Sequence, residues 1–277
     1  MKKTLLFATA LAALSTSHAV TVVSINFVGN AGVAGELAAG DLAGLPNAQS
    51  PVPGVNTFVP NWNNVSGNSA SGSAGGIVTS TATSTGASVA WTTDLGGWSL
   101  PDTLSGANNT ANRTMMKGYL DAAAAASVTV SGLTAPDFTT PYTVIVYFDG
   151  DNGGSWRVGN YSISGNTLGG EDSEGVNFNA GGLAGGNENP DGLFQIPVAG
   201  GPGNAVWPVA GGNNGEGNYV VFTGVTGSSF TINAGGGASA DILRAPINGF
   251  QIIAVPEPSA ALFAALAFSG MMMRRRR

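Results

Sequence analysis

The sequence predicts an all-β fold, an antiparallel β-sandwich with one short helix and a helical signal segment at each end. Three observations predict it. The chain carries 43 glycines and only 9% charged residues, a composition of many turns joining short strands. Its apolar blocks are short, and they either alternate with polar residues or run β-branched and aromatic, which suits a pleated surface. No steady repeat runs through the glycine-rich blocks, as a β-helix or other solenoid would require. The strand-like blocks also argue against disorder throughout.

Met1–Ala19 reads as a secretory signal peptide. Lys2 and Lys3 form its charged start, Thr4–Leu14 its apolar core and Ser17-His18-Ala19 a small-residue cleavage site. Export through the secretion machinery is the expectation. Removing this segment and the tail described below leaves Val20–Ala254, 235 residues, enough to bury one sizeable core.

Within that span Thr21–Val28 (TVVSINFV) is β-branched and reads as a strand. Gly29–Pro60, with Pro46, Pro51, Pro53 and Pro60, reads as loop. Ser66–Ser88 is rich in Ser and Thr and is either a glycosylated exposed tract or, on the simpler reading, a strand pair around a Gly-rich turn. Ser88–Thr92 alternates, with Val89 and Trp91 on one side. Thr110–Ala126 is the expected helix: Asn109 or Thr110 caps it, Met115, Met116, Tyr119 and Leu120 recur at helical spacing, and Gly118 weakens it by about 1 kcal/mol. Ser127–Leu133 returns to strand.

Tyr142–Phe148 (YTVIVYF) is the strongest strand in the chain, and its near-continuous apolar run predicts burial on both faces. Ser155–Ser164 follows across a Gly-Asp-Asn-Gly-Gly turn and is expected to pair with it antiparallel. Gly165–Gly217 is a long Gly- and Asn-rich excursion. Tyr219–Val225, Ser229–Asn233 and Ile247–Ala254 supply three further strands, with Phe230, Ile232, Phe250 and Ile252 pointing inward. The segments SINFVG, YTVIVYFDG and PINGFQI resemble those of the galactose-binding-like or jelly-roll domains of bacterial surface proteins, and the resemblance implies a jelly-roll-like sandwich.

Val255–Arg277 (VPEPSAALFAALAFSGMMMRRRR) closes the sequence. Ala260–Met273 is an apolar run of 14 residues, which reaches about 21 Å as a helix against a hydrocarbon core of about 30 Å. Such a span is marginal, and Arg274, Arg275, Arg276 and Arg277 would hold its end on the cytoplasmic side. Polar motif, weak span and basic stop follow the logic of tails that are removed after membrane delivery. The order of Pro256, Glu257 and Pro258, the span and the arginines resembles a PEP-CTERM sorting domain. That family, found in Gram-negative bacteria, implies recognition by an exosortase, transient anchoring in the inner membrane, processing, and release to the cell surface or extracellular matrix. The alternative is an ordinary tail anchor.

Val20–Ala254 holds 15 acidic and four basic residues, Arg113, Lys117, Arg157 and Arg244, a balance of −11 against −6 for the whole chain. Such a domain repels phosphate backbones, so nucleic acid is not an expected partner. There is no cysteine, and the one histidine, His18, lies in the signal peptide. The exported domain therefore has neither Ser-His-Asp or Cys-His catalysis nor the usual zinc or copper ligands. Glycoside hydrolysis, which needs two carboxyl groups, passes this filter, yet no pair stands out: Glu171, Asp172 and Glu174 read as a solvated face.

The most ligand-like cluster is Asp149-Gly150-Asp151-Asn152-Gly153-Gly154. Oxygen donors of Asp149 and Asp151 beside flexible glycines suit Ca²⁺, although Gly153 and Asn160 occupy the fifth and twelfth positions, where an EF-hand loop needs Asp or Asn and Glu as ligands. Asp, Asn and Gly also serve a plain hairpin turn for backbone reasons. The nearest base in sequence is Arg157. Among Trp62, Trp91, Trp98, Trp156 and Trp207, Trp156 is the candidate for stacking on a sugar, because it follows the turn after the central strand; tryptophans of such sandwiches also fill cores. The leading expectation is an exported surface or matrix protein without catalytic activity and without an obligate cofactor. A carbohydrate-binding module, contacting extracellular polysaccharide, and a glycan-degrading enzyme are the alternatives.

Overall fold

The computed structural model describes residues 20–45, 50–99, 111–139, 141–150, 157–167, 173–177, 219–236 and 242–254. Hydrogen-bonded neighbours run in the order β2 (Asn63–Val65), β1 (Val22–Phe27), β13 (Gly249–Ala254), β8 (Tyr142–Tyr147), β11 (Tyr219–Gly236), β7 (Ala126–Ser131), β4 (Ser88–Thr93) and β3 (Ser71–Ala74). β11 belongs to two layers. Its first half pairs with β8 through Tyr219–Phe222 and Val225, and its second half pairs with β7 through Ser229–Ala234. β9 (Arg157–Thr167) lines the other edge of that second half. Between the halves the register shifts, and Gly224 and Gly227 take positive φ of 69° and 92°, a conformation open to glycine at little steric cost. β10 (Ser173–Asn177) and β12 (Ile242–Leu243) join β9, and β5 (Gly96–Ser99) pairs with β6 (Gly118–Asp121) in a small separate ribbon.

The result is an all-β sandwich. Val23, Ile25 and Phe27 of β1, Val144 and Val146 of β8, and Phe250 and Ile252 of β13 meet Val89, Trp91, Val128, Val130, Phe230 and Ile232 from the other layer in one core. Phe27 meets Trp91 edge-on across the layers, ring centroids 5.9 Å apart. Each such side chain removed from water contributes about 1.5–3 kcal/mol.

The first layer is buried on its other face too. Val22, Ile145, Tyr147, Tyr219 and Ile253 pack against Leu37, Leu45, Val55, Val59 and Trp62 of the long loop and against Met115 and Met116. β8 is therefore buried along its whole length, as its near-continuous apolar run predicts. The proline-rich loop is a lid over that face, pinned by side-chain amides that take the place of strand partners. Gln251 Nε2 donates to Thr57 O at 2.9 Å and to Ser24 Oγ at 3.0 Å. Asn64 pairs with both backbone groups of Leu37, and Asn63 bonds the backbone of Ser24 and Val78.

Four expectations are corrected. The helix expected over Thr110–Ala126 is only α1 (Ala111–Met115), and Gly118–Asp121 is strand β6. Its apolar residues serve different cores: Met115 and Met116 enter the lid layer, Leu120 the sandwich interior. A Cβ on Gly118 would lie 1.9 Å from Val28 O, so backbone closeness is what this glycine provides. The expected β8–β9 hairpin does not form, because both edges of β8 are taken by β13 and β11. Within Ser66–Ser88 the strand β3 pairs outward with β4, and the Thr-rich turn is closed by the isolated bridge Val78↔Ser84 and by hydrogen bonds from Thr79 N–H to Thr83 O and from Thr85 N–H to Ile77 O. Tyr219–Val225 and Ser229–Asn233 are one bent strand instead of two.

Candidate functional site

Of the residues singled out in the sequence, Asp149 is described, and it sits just past the end of β8 in a buried corner. Its main-chain N–H donates to Asn248 Oδ1 at 2.5 Å, and its own Oδ1 accepts Gly150 N–H at 2.8 Å. Asn248 Nδ2 reaches Met116 O at 2.8 Å and Gly118 O at 3.1 Å, so one amide ties the end of β8 to the start of β6.

Phe148 and Tyr161 of β9 stack at 4.3 Å beside it, and Tyr161 Oη donates to Pro246 O at 2.8 Å. Burial holds the Tyr161 phenol well above its usual pKa, and the charges of Asp149 and Asp121 raise it further. Asp121 is ion-paired with Arg244. The pair is positioned by backbone: Ala245 N–H donates to Ala122 O and Ile247 N–H to Leu120 O, which lays the 244–248 segment along β6. Asp121 and Arg244 were not singled out in sequence, since 123 residues separate them and only the alignment of two remote segments joins them.

The corner thus brings together two carboxylates, a phenol and a guanidinium. Both carboxylates are inside, Asp149 at 2% and Asp121 at 7% exposure. A backbone N–H meets Asp149 and Arg244 meets Asp121, an arrangement that suits holding strands in place. Among the described residues no group of three metal-ligating side chains stands together.

Trp62 and Trp91 are core residues. The Trp62 indole N–H donates to Ala43 O and Val59 O, and that of Trp91 donates to Ser69 O. Trp98, on β5, is 50% exposed. Its flanking pair Gly96-Gly97 was the readable signal that this tryptophan stands on a thin ribbon and not in a core strand.

Asp151, Trp156 and Trp207 lie outside the described residues, as do the signal peptide, Pro256, Glu257, Pro258, the 260–273 segment and Arg274, Arg275, Arg276 and Arg277. Among the described residues no helix is long and apolar enough to cross a membrane. No family profile, no curated protein and no solved structure matches this chain.

Proposed function

We propose that this chain is an exported β-sandwich protein of the cell surface or extracellular matrix, processed by an exosortase and without catalytic activity of its own. The observation that carries the proposal is the order Val255-Pro256-Glu257-Pro258-Ser259, apolar run, four arginines, following a domain preceded by Met1–Ala19, which reads as a secretory signal. The corner of Asp121 and Asp149 does not itself supply a glycosidase pair. Asp121 and Asp149 are closed off from solvent, whereas a glycosidase pair must flank a bond in an open cleft.

Mass spectrometry of the protein recovered from the outer surface of the producing cells tests the proposal. Loss of peptides from Ala260–Arg277, with the 20–254 region retained, is expected. Recovery of the intact tail on mature surface protein would overturn it. A second reading, carbohydrate binding, is favoured by the half-exposed ring of Trp98.

A further inference from the structure

The outer face of the second layer is built unlike the rest of the molecule. β4 and β7 alternate strictly, Val89, Trp91, Val128 and Val130 facing in. The outward positions form rows in register across the strands. One row runs Ser71, Thr92, Ser127, Asn233, Ser162, and the next runs Ser73, Ala90, Thr129, Thr231, Ser164. Ser71, Ser73, Thr92 and Ser164 are exposed, and the others of these rows are exposed or half-buried. Neighbouring strands lie about 4.8 Å apart and alternate residues about 6.8 Å along a strand, so the rows, Ala90 excepted, present hydroxyl and amide groups on a regular grid.

The groups on this grid are pre-set. Thr92 and Ser127 hydroxyls share a hydrogen bond at 2.8 Å, Thr129 and Thr231 at 2.9 Å, and Asn233 Nδ2 donates to Ser164 Oγ at 3.0 Å. Short side chains already held by one another lose little freedom when a ligand settles on them. Each hydroxyl keeps lone pairs, or its proton, for an outside partner.

The electrostatics select the partner. In a domain with a balance of −11, neither row carries a charge. Nucleic acid and anionic lipid are disfavoured because the rows offer no cation. A protein partner or second copy would need an apolar or aromatic centre, and these rows have none. A solvated surface ordinarily mixes Lys, Arg, Glu and Asp, which are missing from them.

We propose that this face binds a neutral, hydroxyl-rich polymer, an uncharged polysaccharide lying flat across β3, β4, β7, β11 and β9. The inference rests on the export reading only for where such a polymer is met.

The test is co-sedimentation of the full-length chain, purified in mild detergent, with insoluble cellulose and with insoluble β-1,3-glucan. The polyanion alginate serves as a soluble competitor. Binding to at least one neutral glucan is expected, unaffected by alginate and retained in about 1 M salt, where the screening length is about 3 Å. Two variants probe the face, each with its melting temperature measured. Thr129→Val with Thr231→Val removes a hydroxyl pair and keeps the β-branched shape; Thr92→Glu places a charge on an exposed row. Each should weaken binding about tenfold or more, close to 1.4 kcal/mol.

No binding to either glucan, binding unchanged in both variants, or binding abolished by Trp98→Ala but not by them, would overturn the proposal. A change of oligomeric state in the variants would do the same by assigning the face to a second copy. Because binding is read on purified protein, failure of the export reading leaves this result standing.

Discussion

The Tyr147 hydroxyl donates to Gln251 Oε1 at 2.5 Å on the lid side of the first layer, joining β8 to its neighbour β13. Gln251 then passes the connection on to Ser24 and Thr57. A strand, its two neighbours and the covering loop are thus held by one amide with no exposure to water. Such a network is stabilising when every member is satisfied and costly when one is removed.

Tyr147→Phe should therefore destabilise the protein by about 1–3 kcal/mol, through a buried Gln251 oxygen stripped of this donor. The denaturation midpoint in urea is the measurement. The shift should come with no change in the slope, since the surface exposed on unfolding stays the same. A midpoint equal to that of the unaltered chain would show that the lid holds without this bond.

The tyrosines also set an alkaline limit. Burial raises Tyr142 to about 12 and holds Tyr147, Tyr161 and Tyr219 well above the usual tyrosine value. The unfolded chain gives up these protons near pH 10, while the folded chain keeps them. Their contribution is fully present below about pH 10 and is lost as pH rises toward the folded values. Stability should be level from pH 8 to 9.5 and fall steeply from about pH 10 to 12. Urea midpoints across that range check it, and a Tyr142→Phe variant should fall less steeply.

How far the sequence was readable follows from where each strand's neighbours lie. β1, β8 and β13 carry their own evidence, since alternation or continuous apolarity within six residues states which faces are covered. Met115 to Leu120 carried evidence for the wrong element. Apolar residues bound for two different cores mimic one helical stripe, and only the closeness of Gly118 to Val28 reveals otherwise. The Ser/Thr richness of Ser66–Ser88 was visible, but its grid with β7, β9 and β11 depends on pairings between segments up to 162 residues apart (Ser71 and Asn233 in one row). The corner of Asp149 was half readable: the turn chemistry stood in the sequence, while Asn248, Asp121 and Arg244 came from elsewhere.

Gly118→Ala should be among the most damaging single-methyl additions in the chain. The new Cβ would meet Val28 O at 1.9 Å and Val28 C at 2.2 Å, both backbone atoms that cannot swing aside. Forcing β6 away from β1 strains the contact and disturbs Asn248, which bonds Gly118 O. A loss of about 2–3 kcal/mol is expected, read as a lower midpoint in urea. By contrast, Gly75→Ala, with open space around its Cβ, should change the midpoint by less than about 0.5 kcal/mol.

Two readings of the Asp149–Gly154 stretch follow from its residues, a cation loop and a plain turn. In the folded protein Asp149 Oδ1 accepts Gly150 N–H, the side chain is buried, and its neighbours Asn248 and Tyr161 are engaged with backbone carbonyls. Those bonds are what a turn requires of an aspartate. Melting of the full-length chain should then give the same midpoint in calcium and in chelator. Asp149→Asn, which keeps an acceptor for Gly150, should shift it by about 1 kcal/mol or less. A cation bound only to the folded form would instead raise stability by about 2.7 kcal/mol at 100-fold excess over its dissociation constant. A calcium-dependent rise of that kind, abolished in Asp149→Asn, would move the residue from turn to ligand.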